Sequence, residues 1–174
     1  LHGGKTNSTA STQLTGAQIS VPVSWSTTSD QPWAAGAVSI RSTASSGAPT
    51  ISGLAGDALN FVEDASPRVI EQGGNVTVND GDSANFNGGV LHVAIASGGD
   101  TAEDVLRIRN QGTSVGQIGV AGSNITYNAG SGAVTIGTFS GGSGPAHLEA
   151  AFNANATPAA AAAPIENLTY LNTD

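Results

Sequence analysis

Chemistry in this chain has to come from carboxylates, because little else reactive is present. Cysteine is absent, which removes thiolate nucleophiles, disulfides and thiolate-held zinc. Twelve of the thirteen Asp and Glu lie beyond residue 50, and Glu63, Asp64, Glu71, Asp80 and Asp82 form the one concentrated acidic cluster, opposed locally by Arg68 alone. Asp80 and Asp82 flank Gly81 on a turn-like stretch. With backbone carbonyls and Asn side chains, such a turn suits Ca²⁺, a hard cation that takes about six to eight oxygens. The same residues also read as a solvated acidic turn that keeps a sheet edge from aggregating. The ligand spacing of an EF-hand is absent.

Other reaction chemistries find no support. A glycosidase needs two carboxylates across a sugar cleft, and no spacing here places two of the acids that way. His2, His92 and His147 are far apart in sequence, without the paired spacing of a zinc site. Gly141, Gly142, Ser143 and Gly144 make a glycine-rich run, but the lysine of a phosphate-binding loop is missing. The expectation is therefore a protein that is not an enzyme. Five Lys and Arg against thirteen acids, a formal net charge of -8, also exclude a basic nucleic-acid-binding face. No apolar run reaches the length of about 18 residues that a spanning helix needs. Asn7, Asn75, Asn124 and Asn167 each begin an Asn-x-Ser/Thr acceptor, relevant wherever the host glycosylates secreted proteins.

The elements that must position these residues are strands. From residue 51 onward short β-branched runs recur, at 58–63, 68–71, 75–79, 89–96, 104–109, 115–120, 123–128, 132–139, 147–153 and 165–170. Gly-Gly, Gly-Ser and Asn-Ala-Gly separate them, residues that tolerate positive φ. Many short strands at that spacing predict an all-β, antiparallel sandwich. One helical piece is expected: Thr157 before Pro158 is a capping pair, and five alanines follow. Pro164 should limit it to about two turns, and an alanine-rich linker is the alternative.

Residues 1–50 differ. They hold eighteen Ser and Thr and only three charges, Lys5, Asp30 and Arg41, and read as an extended N-terminal arm. Within it, 17–25 places Ile19, Val21, Val23 and Trp25 on one face at period two, a strand with one buried side. Pro22 cannot donate to a ladder and puts that strand at an edge. A second short alternation runs through Val38 and Ile40. The expected division is an arm over 1–50 and a sandwich over 51–174.

The segments Gly53–Glu63, Gly73–Gly89, Ala102–Gly112, Gly132–Phe139, Phe152–Pro158 and Ile165–Tyr170 together resemble, in order, the cadherin-like repeats of giant bacterial surface proteins. The resemblance covers about residues 50–174. It implies an Ig-like β-sandwich with a short helical crossover, in secreted adhesins and matrix proteins that are often calcium-dependent. Asn85 stands where such repeats often carry an acid before the Phe. Such repeats also continue past the Asn167–Tyr170 strand into one more long strand, so a chain ending at Asp174 is expected to be one strand short.

A sandwich lacking a strand exposes a groove of unpaired backbone, which an extended segment can fill by strand addition. The leading expectation is a structural subunit of an extracellular filament or biofilm matrix, built head-to-tail from copies of itself by donor-strand complementation. Ile19, Val21, Val23 and Trp25 would be the donor contacts. The alternative is a calcium-stabilised adhesin repeat acting as a cell-surface binding module.

Overall fold

The computed structural model describes residues 19–22, 36–41, 47–62 and 65–173. Twelve strands and one helix follow in chain order: β1 (Ile19–Pro22), β2 (Gly36–Arg41), β3 (Thr50–Ser52), β4 (Arg68–Val69), β5 (Thr77–Asn79), β6 (Val90–Ile95), β7 (Asp104–Ile108), β8 (Ile118–Ala121), β9 (Asn124–Asn128), β10 (Ala133–Ser140), β11 (Leu148–Phe152), α1 (Pro158–Glu166) and β12 (Leu168–Asn172). A seven-stranded sheet runs β1-β2-β6-β11-β10-β9-β8, a three-stranded sheet runs β4-β12-β7, and β3 and β5 form a ribbon. Every pairing is antiparallel. The chain is all-β with one short helix, as its turn spacing predicts.

Alternation explains which face each strand buries. In β11, Leu148, Ala150 and Phe152 turn inward while Glu149 and Ala151 stay exposed. In β7, Asp104, Leu106 and Ile108 are buried and Arg107 is not. Both sheets feed one core, in which Leu91, Ile118, Ile125 and Ile136 are fully enclosed. Two glycines shape the large sheet. Gly122, at φ 60°, opens the two-residue turn between β8 and β9, where only positive φ matches the twist of a tight hairpin. Gly137 sits at the register shift between β9 and β10, and a Cβ there would stand 2.2 Å from the Ala151 carbonyl oxygen.

Three expectations need correction. Residues 58–62 form no strand: Leu59 is buried and Phe61 meets Tyr170 edge-on at 4.8 Å, so the apolar pair is used without a ladder. Pro164 does not end the helix, which continues to Glu166 and displaces the last strand to 168–172. Its lost amide is tolerated because Ala160–Ile165 are buried all round, so packing holds the helix. Asn167 then closes the end, donating from Nδ2 to the Ala163 carbonyl at 2.8 Å. Finally, β12 has no vacant place beside it, since β4 and β7 flank it on both sides.

Ile125 lies in mid-strand with 0% exposure. Ile125→Ala should lower unfolding stability by about 2–5 kcal/mol, with an unchanged urea m-value. Val115→Ala, at a side chain 69% exposed, should stay within about 0.5 kcal/mol. Urea titration of both variants checks the pair.

Candidate functional site

The two edges of the seven-stranded sheet are finished differently. At β8 the outward amides are taken by side chains: Ile118 N donates to Gln111 Oε1 at 3.1 Å and Val120 N to Asn110 Oδ1 at 3.2 Å. The Ile118 carbonyl accepts from the Gln111 and Gly112 amides. This edge is closed by the loop that precedes it.

The other edge is closed by the N-terminal segment. β6 pairs with β11 on one side and β2 on the other, with Val38 opposite Val93 and Ile40 opposite Leu91. Leu91 and Val93 are core residues. β1 then pairs with β2, placing Ile19 opposite Ile40 and Val21 opposite Val38. The strand that completes the sheet is thus β2, and the segment expected to donate lies one place further out. Val23 and Trp25 lie outside the described residues. The sequence signal for β2 is its alternation through Val38 and Ile40, shorter than that of 17–25.

The acidic cluster separates into two places. Glu71 is buried and its two oxygens accept the Gly73 and Gly74 amides at 2.8 and 2.6 Å. Its charge also bears on Glu166, whose carboxyl is pushed above the ordinary glutamate range, first by desolvation and then by Glu71, against the lowering effect of the Val76 amide. Glu63 and Asp64 lie outside the described residues. Asp80 and Asp82 stand apart, on the turn after β5. Asp80 is 6% exposed, and its Oδ1 receives the Asp82 amide at a long 3.4 Å. Asp80 Oδ2 is buried without a hydrogen-bond partner. Asp82 is exposed and accepts from Ser83 Oγ at 3.4 Å. Gly47, at the root of the arm, lies against it: a Cβ there would stand 3.0 Å from Asp82 Oδ2.

These oxygens are of the kind Ca²⁺ takes, and the unpartnered one is consistent with a cation. Asp80 and Asp82 would supply the charged ligands, with carbonyls and water completing the shell. Among the described residues, no group of three or more His, Asp or Glu is gathered in metal-binding geometry.

Register brings together two histidines that are far apart in sequence. Glu149 lies directly opposite His92 across β6 and β11, and His147 lies two residues before Glu149. The rings of His92 and His147 meet edge-to-face with centroids 4.6 Å apart, and His92 Nε2 is 3.8 Å from Glu149 Oε1.

The four glycosylation acceptors fare differently. Asn75 and Asn124 are exposed, and Asn7 lies outside the described residues. Asn167 is 4% exposed, with Nδ2 on the Ala163 carbonyl and Oδ1 receiving Arg109 Nε and Nη2 at 3.1 and 2.8 Å. The folded domain has no room for a glycan there.

No protein family matches the chain, and neither a curated protein nor a solved structure shows detectable similarity to it.

The Glu71–Glu166 pair makes a pH prediction. A raised carboxyl pKa means that the fold disfavours ionised Glu166. Its favourable contribution is complete below the unfolded-state value and is lost as pH rises through the folded-state value. Glu166→Gln keeps an acceptor for Val76 without the charge. Its melting temperature should exceed that of the parent at about pH 7, and the gap should close at about pH 4, below the ordinary glutamate range. Calorimetric scans at both values check this.

Proposed function

We propose that this protein is a structural subunit of an extracellular filament or matrix, polymerising head-to-tail by exchanging its N-terminal strands between copies. The observation that carries the reading is the β2–β6 pairing. β6 contributes Leu91 and Val93 to the core, yet one of its edges is covered only by a strand from the N-terminal arm. The same backbone ladder and the same apolar rows serve equally well when β2 comes from a neighbouring copy. Such an exchange is a heterologous contact, and where its rotation does not close it generates an open filament. Strand addition takes its affinity from main-chain hydrogen bonds and its specificity from alternate side chains, which here fall opposite Leu91 and Val93. Absence of Cys and Met suits an exposed, oxidising setting.

A cross-linking test separates exchange from self-closure, helped by the absence of native cysteine. Ser39 lies opposite His92, within the Cα separation a disulfide bridges. The double variant Ser39→Cys with His92→Cys should give a covalent ladder on non-reducing gels after assembly and oxidation. A mixture of the two single variants should give cross-linked dimers. A double variant that oxidises only within one chain, with single variants that never join, overturns the proposal.

A second reading, the calcium-stabilised adhesin repeat, is favoured by the unpartnered Asp80 oxygen. It expects Ca²⁺ to raise the melting temperature of the parent chain and Asp80→Asn to abolish the rise. A melting temperature indifferent to Ca²⁺ removes this reading and leaves the filament reading standing.

A further inference from the structure

We propose that the loop over Asn110–Gly112 is a cover that keeps β8 from pairing with β8 of a second copy, and that uncovering it turns this edge of the seven-stranded sheet into a two-fold interface. The edge is the one opposite β1 and β2, so the inference does not rest on the filament reading.

The ladder itself shows which groups need covering. The Asn128 amide donates to the Gln117 carbonyl at 3.2 Å, in the same register as the β8–β9 pairs. Backbone groups alternate sides along an antiparallel strand, so Gln117, Gly119 and Ala121 face β9, while Ile118 and Val120 direct theirs outward. Asn110 Oδ1 takes the Val120 amide at 3.2 Å, and Gln111 Oε1 takes the Ile118 amide at 3.1 Å. The Ile118 carbonyl accepts the Gln111 and Gly112 amides at 2.9 and 3.2 Å. The Val120 carbonyl accepts from no described residue.

The strand carries none of the usual edge protections. Edges are ordinarily kept apart by lysine, by proline or by a bulge. Residues 113–123 contain no charged residue and no proline, and β8 pairs with β9 without a register shift. An uncharged, β-branched stretch of this kind self-associates once its backbone is open. The cover is what stands in the way.

The outward groups are self-complementary, which makes the partner a second copy. A two-fold axis through Gly119 sets Ile118 of one copy opposite Val120 of the other, so each outward amide meets a carbonyl and the two sheets run on as one. Gly119 then faces Gly119 as a non-hydrogen-bonded pair, the closer of the two spacings, and neither brings a side chain. The neighbouring strand holds that position to glycine: a Cβ there would stand 2.4 Å from Thr126 Oγ1.

The test uses the full chain and the double variant Asn110→Ala with Gln111→Ala. Both side chains are exposed, so the fold should survive their loss, and calorimetry checks that it does. Light scattering should show the double variant at a greater mass than the parent at equal concentration. Amide exchange decides where the copies meet. In the double variant the 116–121 segment should exchange at least about tenfold faster when dilute than when concentrated, because pairing restores its protection by mass action. In the parent its exchange should not depend on concentration. Strand exchange at the N-terminal edge leaves this segment unmoved, so the two associations are read apart. Val120→Pro added to the double variant removes the edge donor and should abolish the association; Ala121→Lys, at an exposed side chain, does the same by charge if the proline costs the fold. A folded double variant whose 116–121 exchange ignores concentration overturns the proposal. So does association that persists with both blocks, or a parent that already shows the concentration dependence. If the double variant melts far below the parent, Asn110→Ala alone, which frees the Val120 amide, carries the same test with the same readings.

Discussion

A strand whose side chains fill a core cannot leave half of its backbone groups without partners, and β6 is the strand on which this constraint falls. Leu91 and Val93 are buried to 0% and 2% exposure, which fixes β6 in place and fixes its two edges with it. β11 satisfies one edge, and through β11 come β10, β9 and β8. The other edge must be met by something, because an open ladder is a template for any passing strand. The N-terminal strands meet it. A buried amide or carbonyl left unpaired loses about 1–3 kcal/mol, so the six-residue register of β2 on β6 is a substantial part of what holds the arm.

The contrast with the far edge is informative. β8 is closed by Asn110 and Gln111, whose side chains imitate a strand while belonging to the connecting loop. That closure is local in sequence and cannot be exchanged without unfolding the loop. Closure by β2 comes from a segment 48 residues before β6 in the chain. Pro22 in β1 removes one donor from the outermost strand, which limits further ladder growth beyond it. One edge is thus sealed by its own loop, and the other by strands from the N-terminal segment.

The all-β class, the strand-rich region beyond residue 50 and the capped helix are legible in the sequence because they rest on local signals: alternation, positive-φ turn residues, and a Thr-Pro cap. The features that are not legible there have a common physical cause. Leu59 and Phe61 alternate like strand residues, but the Phe61–Tyr170 contact uses them without a ladder. Pro164 carries a stop signal that burial of the alanines overrides. Asn167 looks like a glycan acceptor in sequence and is a helix closure in the fold. The nearness of His92 to His147, and the choice of β2 over β1 as the strand beside β6, depend on long-range register, which periodicity in a single strand does not encode.

Electrostatics give the acidic turn its separate standing. With five Lys and Arg for thirteen acids, most carboxylates have no cation to meet, and those that are buried are held by neutral donors instead. Glu71 takes two glycine amides. Asp104 takes the Asp100 amide at 2.6 Å together with Tyr170 and Asn172, and so fastens the turn before β7 to the last strand. Asp80 departs from this pattern. It is as buried as the other two, yet one oxygen has no donor and the other has a long one. A carboxylate in that position is unfavourable unless something positive approaches it. The neighbouring Asp82, not Asp80, is the carboxylate that lies against Gly47, where the arm enters the domain. A cation held between Asp80 and Asp82 would act beside Gly47, where the N-terminal segment joins the rest of the domain.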